Sequence, residues 1–360
     1  MRACFVVHGA TWSGTTRAFS DAASLLAMRG YETCFVVPSG SEAEQCLAAA
    51  GQDVIGLSAA RGWLRAGWRL RAVVARRLSE VLFVHTEHEH LTAAAAVRLA
   101  GRGAVVRRTP SGERLSIGRD GRLAMRLAAT GFVFAHADDV RGMAPPRGAL
   151  AAHVAPAGVA AATPRPSAAV GAIAGSSAPR LAIFAGADRR RESLVALRAL
   201  ALLAPRMPAL RATVFSPRDD ADAVRIEAAA LGVADRIEWR ATGAPRGDVL
   251  ATADLAWVIA SADDAVFAML DALAHGVPVL GERSPLAARF VEDGVSGVLR
   301  HKGDEAEWAS VVAASLARSG QSEGMRPAAL RAAARWPVDA GADGWLQVTE
   351  AARDRTRWSA

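Results

Sequence analysis

The chain has 360 residues, 51% of them hydrophobic, and carries a formal net charge of +7. That length is long for one domain and comfortable for two, with enough apolar material for a core in each. No run of about 18 or more uncharged apolar residues occurs, so no membrane-spanning helix is expected. The charge is uneven: residues 1–180 hold 21 basic and 12 acidic residues, and residues 181–360 hold 22 and 24. A basic first half suits nucleic acid, anionic lipid or a phosphorylated ligand. No helix-turn-helix, zinc-finger or RNA-recognition signature accompanies it, so no nucleic-acid partner is expected.

In chain order, the apolar start, MRACFVVHGA, feeds a Gly/Ser/Thr loop and reads as a first buried strand rather than a signal peptide. Strand-like runs follow over Ala3–Val7, Glu32–Val37, Asp53–Gly56, Val81–His85, Ala104–Arg108 and Phe132–Ala135. Helical runs such as Arg17–Arg29 and Thr92–Ala100 lie between them. The stretch 61–78 sets Trp63, Leu64, Trp68, Leu70 and Val74 among arginines. Two readings stand there: a basic amphipathic helix lying on an anionic membrane, or a helix packing its apolar side on the sheet with its arginines in water. His85, Glu87, His88, Glu89 and His90 cluster at a strand-to-helix junction without the spacing of a zinc site, so a polar lining is expected and a metal is not.

The pattern stops near Pro156, and residues 160–179 are rich in Pro, Ala, Gly and Ser, which reads as a linker. A second alternation runs through Leu181–Phe184, Ala212–Phe215, Ile237–Arg240, Leu255–Ile259, Val277–Leu280 and Gly297–Leu299. Its helices include Ser193–Leu203, Ala221–Leu231 and Ala265–His275. Alternating strands and helices predict α/β architecture with parallel sheets, whose ligands bind beyond the carboxyl ends of the strands. The expected division is a first domain over 1–159, the linker, a second domain over 180–335, and a helix over 336–360 packing back toward the first domain. Cys4, Cys34 and Cys46 are odd in number and lack metal-ligand spacing, so a reducing, cytoplasmic location is expected.

The stretch from Ser261 to Arg300 carries the most chemistry. Asp263 and Asp271 stand eight residues apart, followed by a Gly-Val-Pro entry to a strand and a Glu-Asp-Gly turn. Ionised carboxylates accept several hydrogen bonds and suit paired sugar hydroxyls. The plain alternative is that Asp263 is first-turn charge and Asp271 part of a solvated helix face.

Four segments resemble a GT-B glycosyltransferase of the retaining family 4 type. His8-Gly9 with Ser13-Gly14-Thr15-Thr16-Arg17 resembles the family's first Gly-rich loop and helix start. Pro156-Ala157-Gly158-Val159 resembles the Pro-Asn-Gly-Val turn closing the first domain, and Phe184-Ala185-Gly186 the loop opening the second. Asp263 and Asp271 occupy the two acidic places of the family's Glu-x7-Glu block, which continues into Val291-Glu292-Asp293-Gly294-Val295-Ser296-Gly297. The resemblance implies two Rossmann-like doubly wound domains facing each other across a cleft. It also implies transfer of a sugar from a nucleotide diphosphate donor to an acceptor hydroxyl, with retention, in cell-envelope glycan, glycolipid or polysaccharide synthesis.

By that resemblance Asp271 binds the ribose and Asp263 the donor sugar, and His8 lines the cleft. Gly14, Thr15, Gly186, Arg189, Arg190, Arg191, Ser284 and Leu286 serve the donor's diphosphate. Arg107, Arg108 and His88 fall on the acceptor side. The co-substrate is the nucleotide sugar, with no further cofactor and no metal. The acceptor is a glycan, a lipid-linked species or a small molecule, and the protein is cytoplasmic or peripheral on the inner face of the membrane. The departures are specific. Both acids are Asp rather than Glu, the family's phosphate-binding Arg and Lys align with Ala187 and Glu192, and its Gly-Gly pair aligns with Pro285 and Leu286. The histidine of its first domain aligns with Pro110. These departures also suit a second reading, a degenerate GT-B homologue that binds a nucleotide, glycan or partner enzyme without turnover.

Overall fold

The computed structural model describes residues 2–58, 60, 62–140, 149–150, 152–162, 178–186, 190–216, 221–319 and 325–357. The chain forms two compact units. Unit 1 comprises Met1–Ala157 with Asp339–Ala360, and unit 2 comprises Gly158–Val338.

Unit 1 is built on β1 (Arg2–Val6), β2 (Glu32–Pro38), β3 (Val54–Leu57), β4 (Val81–Val84), β5 (Ala104–Thr109), β6 (Thr130–Phe134) and β7 (Ala152–Val154). They form one parallel sheet in the order β3-β2-β1-β4-β5-β6-β7. Between them run α1 (Gly14–Met28), α2 (Glu42–Ala49), α3 (Trp63–Arg77), α4 (Glu87–Ala100), α5 (Arg119–Leu127) and α6 (Ala137–Val140). Strands buried on both faces read as continuous apolar runs, which is why they were legible in the sequence.

Side chains alternate across that sheet. Phe5, Phe35, Phe83 and Val106 face one core, with α1 and Trp345. Cys4, Val6, Cys34, Leu82 and Val105 face the other, with α3 and α4. Phe5 is in register with Phe35 and Phe83, and its ring stacks on theirs at 5.0 and 4.7 Å between centroids. The helix α3 lies close on α4 because Gly67 has no side chain: a Cβ there would stand 3.1 Å from the Thr92 carbonyl oxygen and 3.0 Å from the Ala95 Cβ.

Unit 2 repeats the scheme with β8 (Arg180–Phe184), β9 (Arg211–Ser216), β10 (Ile237–Ala241), β11 (Leu255–Val258), β12 (Val279–Glu282) and β13 (Gly297–Arg300). Their order, β10-β9-β8-β11-β12-β13, is the doubly wound one, and every pairing is parallel. The helices are α7 (Arg190–Leu203), α8 (Ala221–Ala230), α9 (Gly247–Leu250), α10 (Ala262–Ala274), α11 (Ala287–Phe290), α12 (Glu305–Ser319) and α13 (Met325–Ala333). One face of the sheet packs Leu181, Ile183, Val214 and Trp257 against α7, α8 and α12.

The last helix, α14 (Ala342–Arg357), belongs to unit 1 and sets Trp345, Val348 and Ala352 into its core. It starts six residues later than the sequence reading placed it. Pro337 lacks an N–H and disfavours helix for the residue before it. The chain there instead pairs with the opposite crossing: Val159 bridges Pro337, and its N–H donates to the Trp336 carbonyl at 2.9 Å. Gly158 permits that approach, since a Cβ would lie 2.0 Å from the Pro337 carbonyl oxygen. Gly158 and Val159 thus belong to unit 2, whereas the sequence reading assigned them to the first domain. Most of the expected linker, 163–177, lies outside the described residues.

Candidate functional site

In unit 1 the polar residues gather where β1 and β4 end. Ser13 caps α1, its hydroxyl accepting from the Thr16 N–H, and Gly14 and Thr15 are buried in the first turn. Thr86 and Glu89 form a capping box on α4. Glu89 does more than cap. Its Oε1 accepts from the His8 N–H at 2.7 Å, and its Oε2 from the His85 and Thr86 N–H groups at 3.0 Å each. One buried carboxylate therefore ties the end of β1 to the end of β4. Burial alone would raise its pKa, but the His85 ring, with Nδ1 2.7 Å from Oε2, and the backbone donors outweigh that and hold it at about 2.

His8 and His88 are exposed, and their rings lie 5.5 Å apart between centroids. The His8 ring reaches solvent, yet the surrounding loop desolvates it enough to lower its pKa; Glu89 opposes that, and His88 and His85 add to it. His90, part of the same sequence cluster, turns the other way. It is 1% exposed, and its Nε2 bonds the Thr130 hydroxyl at 3.0 Å. Among the described residues no three His, Cys, Asp or Glu side chains converge as a metal cage would.

The arginines expected on the acceptor side are buried. Arg107 donates to the Ser116 carbonyl at 2.9 Å and the His85 carbonyl at 3.3 Å, and pairs with Glu87 at 3.5 Å. Burial lowers its pKa, against the pull of Glu87. Arg108 is 1% exposed. Arg107 is thus tied by these bonds to the end of β4 and to the loop before α5. The apolar spacing of β5 hid this, because a buried arginine and a surface one look alike in sequence.

In unit 2 the two acids lie on α10, separated by about 12 Å along the axis at 1.5 Å per residue. Asp263 is in the first turn and Asp271 two turns later, and both are buried, at 2% and 7% exposure. The solvated-face reading of Asp271 is thereby excluded. Just before them Ala262 sits at φ 46°, a left-handed conformation that costs an alanine about 1–2 kcal/mol. Such strain is often held at functional sites.

Asp271 has a partner that the sequence did not disclose. Arg246, at the start of α9, donates from Nη1 to Asp271 Oδ2 at 2.9 Å. Its guanidinium lies 5.1 Å over the ring of Phe184, the last residue of β8, and that ring stacks on Phe215 at 5.0 Å. His275 Nδ1 donates to the Asp271 carbonyl at 2.7 Å. No spacing rule links Arg246 to Asp271; only the run of Pro-Arg-Gly-Asp after β10 marks the loop as a turn.

The expected diphosphate ligands of unit 2 follow the carboxyl ends of β8 and β12. Gly186 is buried at the end of β8, Arg190 and Arg191 are exposed at the start of α7, and Arg189 lies outside the described residues. Glu192, in the family's lysine place, pairs with Lys302 at 2.8 Å. Ser284 accepts the Ala287 N–H on its Oγ at 3.1 Å ahead of α11, with the half-buried Leu286 between them. Asp293 in the following turn accepts the Leu299 N–H at 2.9 Å and pairs with Arg283; those contacts outweigh burial and lower its pKa.

Residues 179–318 match the family model of glycosyl transferases group 1. No curated protein matches the sequence. Among solved structures, the pneumococcal O-GlcNAc transferase GtfA, in complex with UDP and GlcNAc, superposes with a TM-score of 0.73 at 10% identity, over 97% of this chain and 98% of that one. A glycosyltransferase from Rickettsia africae gives 0.70 at 10% identity, covering 97% of each chain. Anabaena Alr3699/HepE with UDP-glucose gives 0.69 at 15% identity, covering 100% of each. The fold is therefore that of the GT-B glycosyltransferases, two Rossmann-like domains in one chain. The matched stretch, 179–318, makes up most of the second unit.

Proposed function

We propose that the chain transfers a sugar from a nucleotide diphosphate donor to an acceptor hydroxyl, with retention at the anomeric carbon. The observation that carries this reading is Asp271: a buried carboxylate on α10, inside the matched segment, held beside the end of β8. Ligands of doubly wound sheets bind beyond the carboxyl ends of the strands. In this reading Asp271 accepts from the ribose hydroxyls and Asp263 from the donor sugar. Catalysis rests on positioning and on stabilising the departing diphosphate, with the acceptor deprotonated by the leaving phosphate.

GtfA and HepE were solved with UDP or UDP-glucose, which makes uridine nucleotides the first donors to test. Calorimetry with UDP, ADP and GDP is expected to find one that binds, and Asp271→Ala is expected to weaken it at least tenfold. Binding of none, with no hydrolysis of any nucleotide sugar, would remove the enzyme reading. Binding without turnover would favour the degenerate homologue, a reading supported by Glu192 pairing with Lys302 where the family has a phosphate-binding lysine.

The acceptor side has its own clue. On α3, Leu70, Val73 and Val74 pack inward, while Leu64 and Trp68 are 61% and 58% exposed. Arg71 stacks 4.2 Å over the Trp68 ring. This exposed face suits contact with an anionic membrane and so a lipid-linked acceptor. Among the described residues no helix is long and apolar enough to cross a membrane.

A further inference from the structure

The carboxylate assigned to the ribose already carries a bond. Arg246 and Asp271 are a nearly dry pair, their side chains 13% and 10% exposed. Arg246 is itself fixed on three sides: by Asp271 at 2.9 Å, by the Thr242 carbonyl at 3.5 Å, and by the Phe184 ring below it. A buried ion pair is seldom the most stable filling for its space, since apolar side chains of similar volume often do as well. Stability alone therefore does not account for this pair.

Two departures from the family pattern bear on what the pair does. Asp is one methylene shorter than Glu, so its carboxylate stands about 1.5 Å further from a ligand on carbon-bond geometry. A shorter reach leaves less slack in orientation. In addition, the basic place that precedes Ser193 on α7 holds Glu192, which is neutralised by Lys302. Among the described residues, a cation does stand beside the end of β8, supplied from the loop after β10 as Arg246. Nη1 of its planar guanidinium bonds Asp271 Oδ2 while Nη2 bonds the Thr242 carbonyl, so the group that holds the carboxylate is itself held in plane. An ionised carboxylate offers about four acceptor sites, so a bond to Arg246 does not exhaust it.

We infer that Arg246 is the positioning residue of the donor site: it holds the Asp271 carboxylate in the one orientation from which it accepts the ribose hydroxyls of a nucleoside diphosphate. A group held in place by a supporting contact loses no rotamer freedom when the ligand arrives. This inference rests on the donor-site reading above.

The test is ribose discrimination, which a purely structural role would not change. Calorimetry compares the nucleoside diphosphate that binds with its 2′-deoxy counterpart, in wild type, Arg246→Gln, Arg246→Lys and Asp271→Asn. Wild type is expected to prefer the ribonucleotide about tenfold, the scale of one charge-assisted hydrogen bond. Arg246→Gln is expected to bring that ratio close to one, as Asp271→Asn does, with the deoxynucleotide bound within about threefold of wild type. Arg246→Lys keeps the charge without the fork, and an intermediate ratio is expected. It also serves should Arg246→Gln fail to fold, and there an unchanged tenfold ratio refutes the inference. If Arg246→Gln keeps the wild-type ratio, or weakens both nucleotides equally, Arg246 does not position Asp271 and only this inference falls. If wild type binds no nucleoside diphosphate, the donor-site reading falls and takes the inference with it.

Discussion

Acid should unfold unit 1 from a single buried ring. The His90 side chain lies between α4 and β6, with its Nε2 bonded to Thr130 Oγ1 and its ring 6.5 Å edge-on to Phe132. The Thr130 hydroxyl donates to the Ala128 carbonyl at 3.2 Å, so it accepts from His90, which places the proton on Nε2. Nδ1 is buried with no hydrogen-bond partner among the described residues. Protonating it would bury a cation and an unanswered N–H together. Burial first, and repulsion from Arg107 second, lower the pKa from 6.5 to about 3. The unfolded chain takes up this proton below about pH 6.5, and the folded chain does not until about pH 3. The folded state is therefore fully favoured above pH 6.5 and loses about 1.4 kcal/mol for each pH unit below it, roughly 2 kcal/mol by pH 5 and on the order of 5 by pH 3. Urea denaturation at pH 7, 6 and 5, followed by circular dichroism, measures the slope, and amide protection in α4 and β6 assigns it to unit 1. His90→Gln is expected to flatten the slope by about 1.4 kcal/mol per pH unit, whatever it costs at pH 7. An unchanged slope in that variant would refute the account of the ring as a neutral buried base.

Glu89 acts in a lower window. Its pKa of about 2, against 4.5 for the free group, gives a stabilisation present above pH 4.5 and lost as pH falls through 2, about 3 kcal/mol in all. Glu89→Gln turns an amide donor toward backbone donors and is expected to cost about 2–4 kcal/mol at pH 7 by urea midpoint, while removing that acid window. A variant as stable as wild type would show that the three backbone bonds do not depend on the charge. On the surface, the full chain is expected to sediment with phosphatidylglycerol vesicles and not with phosphatidylcholine. Trp68→Ala should weaken that at least tenfold, the scale of one withdrawn apolar side chain. No sedimentation with either lipid would end the membrane reading of α3.

How much of this was legible in sequence follows from the range of each interaction. The buried strands were readable because a parallel strand needs an unbroken apolar run, and Cys4-Phe5-Val6 or Val81-Leu82-Phe83 can be little else. Their ends were less so: Pro278 delays β12 to Val279, and the three-residue β7 is too short to show a pattern. Asp271 could be picked out by its place in a motif. Arg246 could not, since 25 residues of loop, strand and helix separate the two and arginine is common throughout this chain. The cluster His85–His90 shows the same limit. Composition marked it as polar, but only the fold divides it into an exposed His88, a saturated Glu89 and an inward His90. Helical spacing tells which residues share a face and not what that face meets.

The chain returns to unit 1 only after completing unit 2, and this bears on how the protein is made. Domains generally fold as they emerge, the first one first. Here Gly158–Val338 is one continuous stretch and can close while the protein is still being translated. Unit 1 cannot. Until α14 delivers Trp345, Val348 and Ala352, the core that α1 and Phe83, Val106 and Val133 share lacks those three members. The nascent chain must therefore carry an unfinished N-terminal half throughout the synthesis of the other. For that interval the gap left by α14, beside Phe83, is apolar surface that a chaperone, or another chain in the same state, can meet.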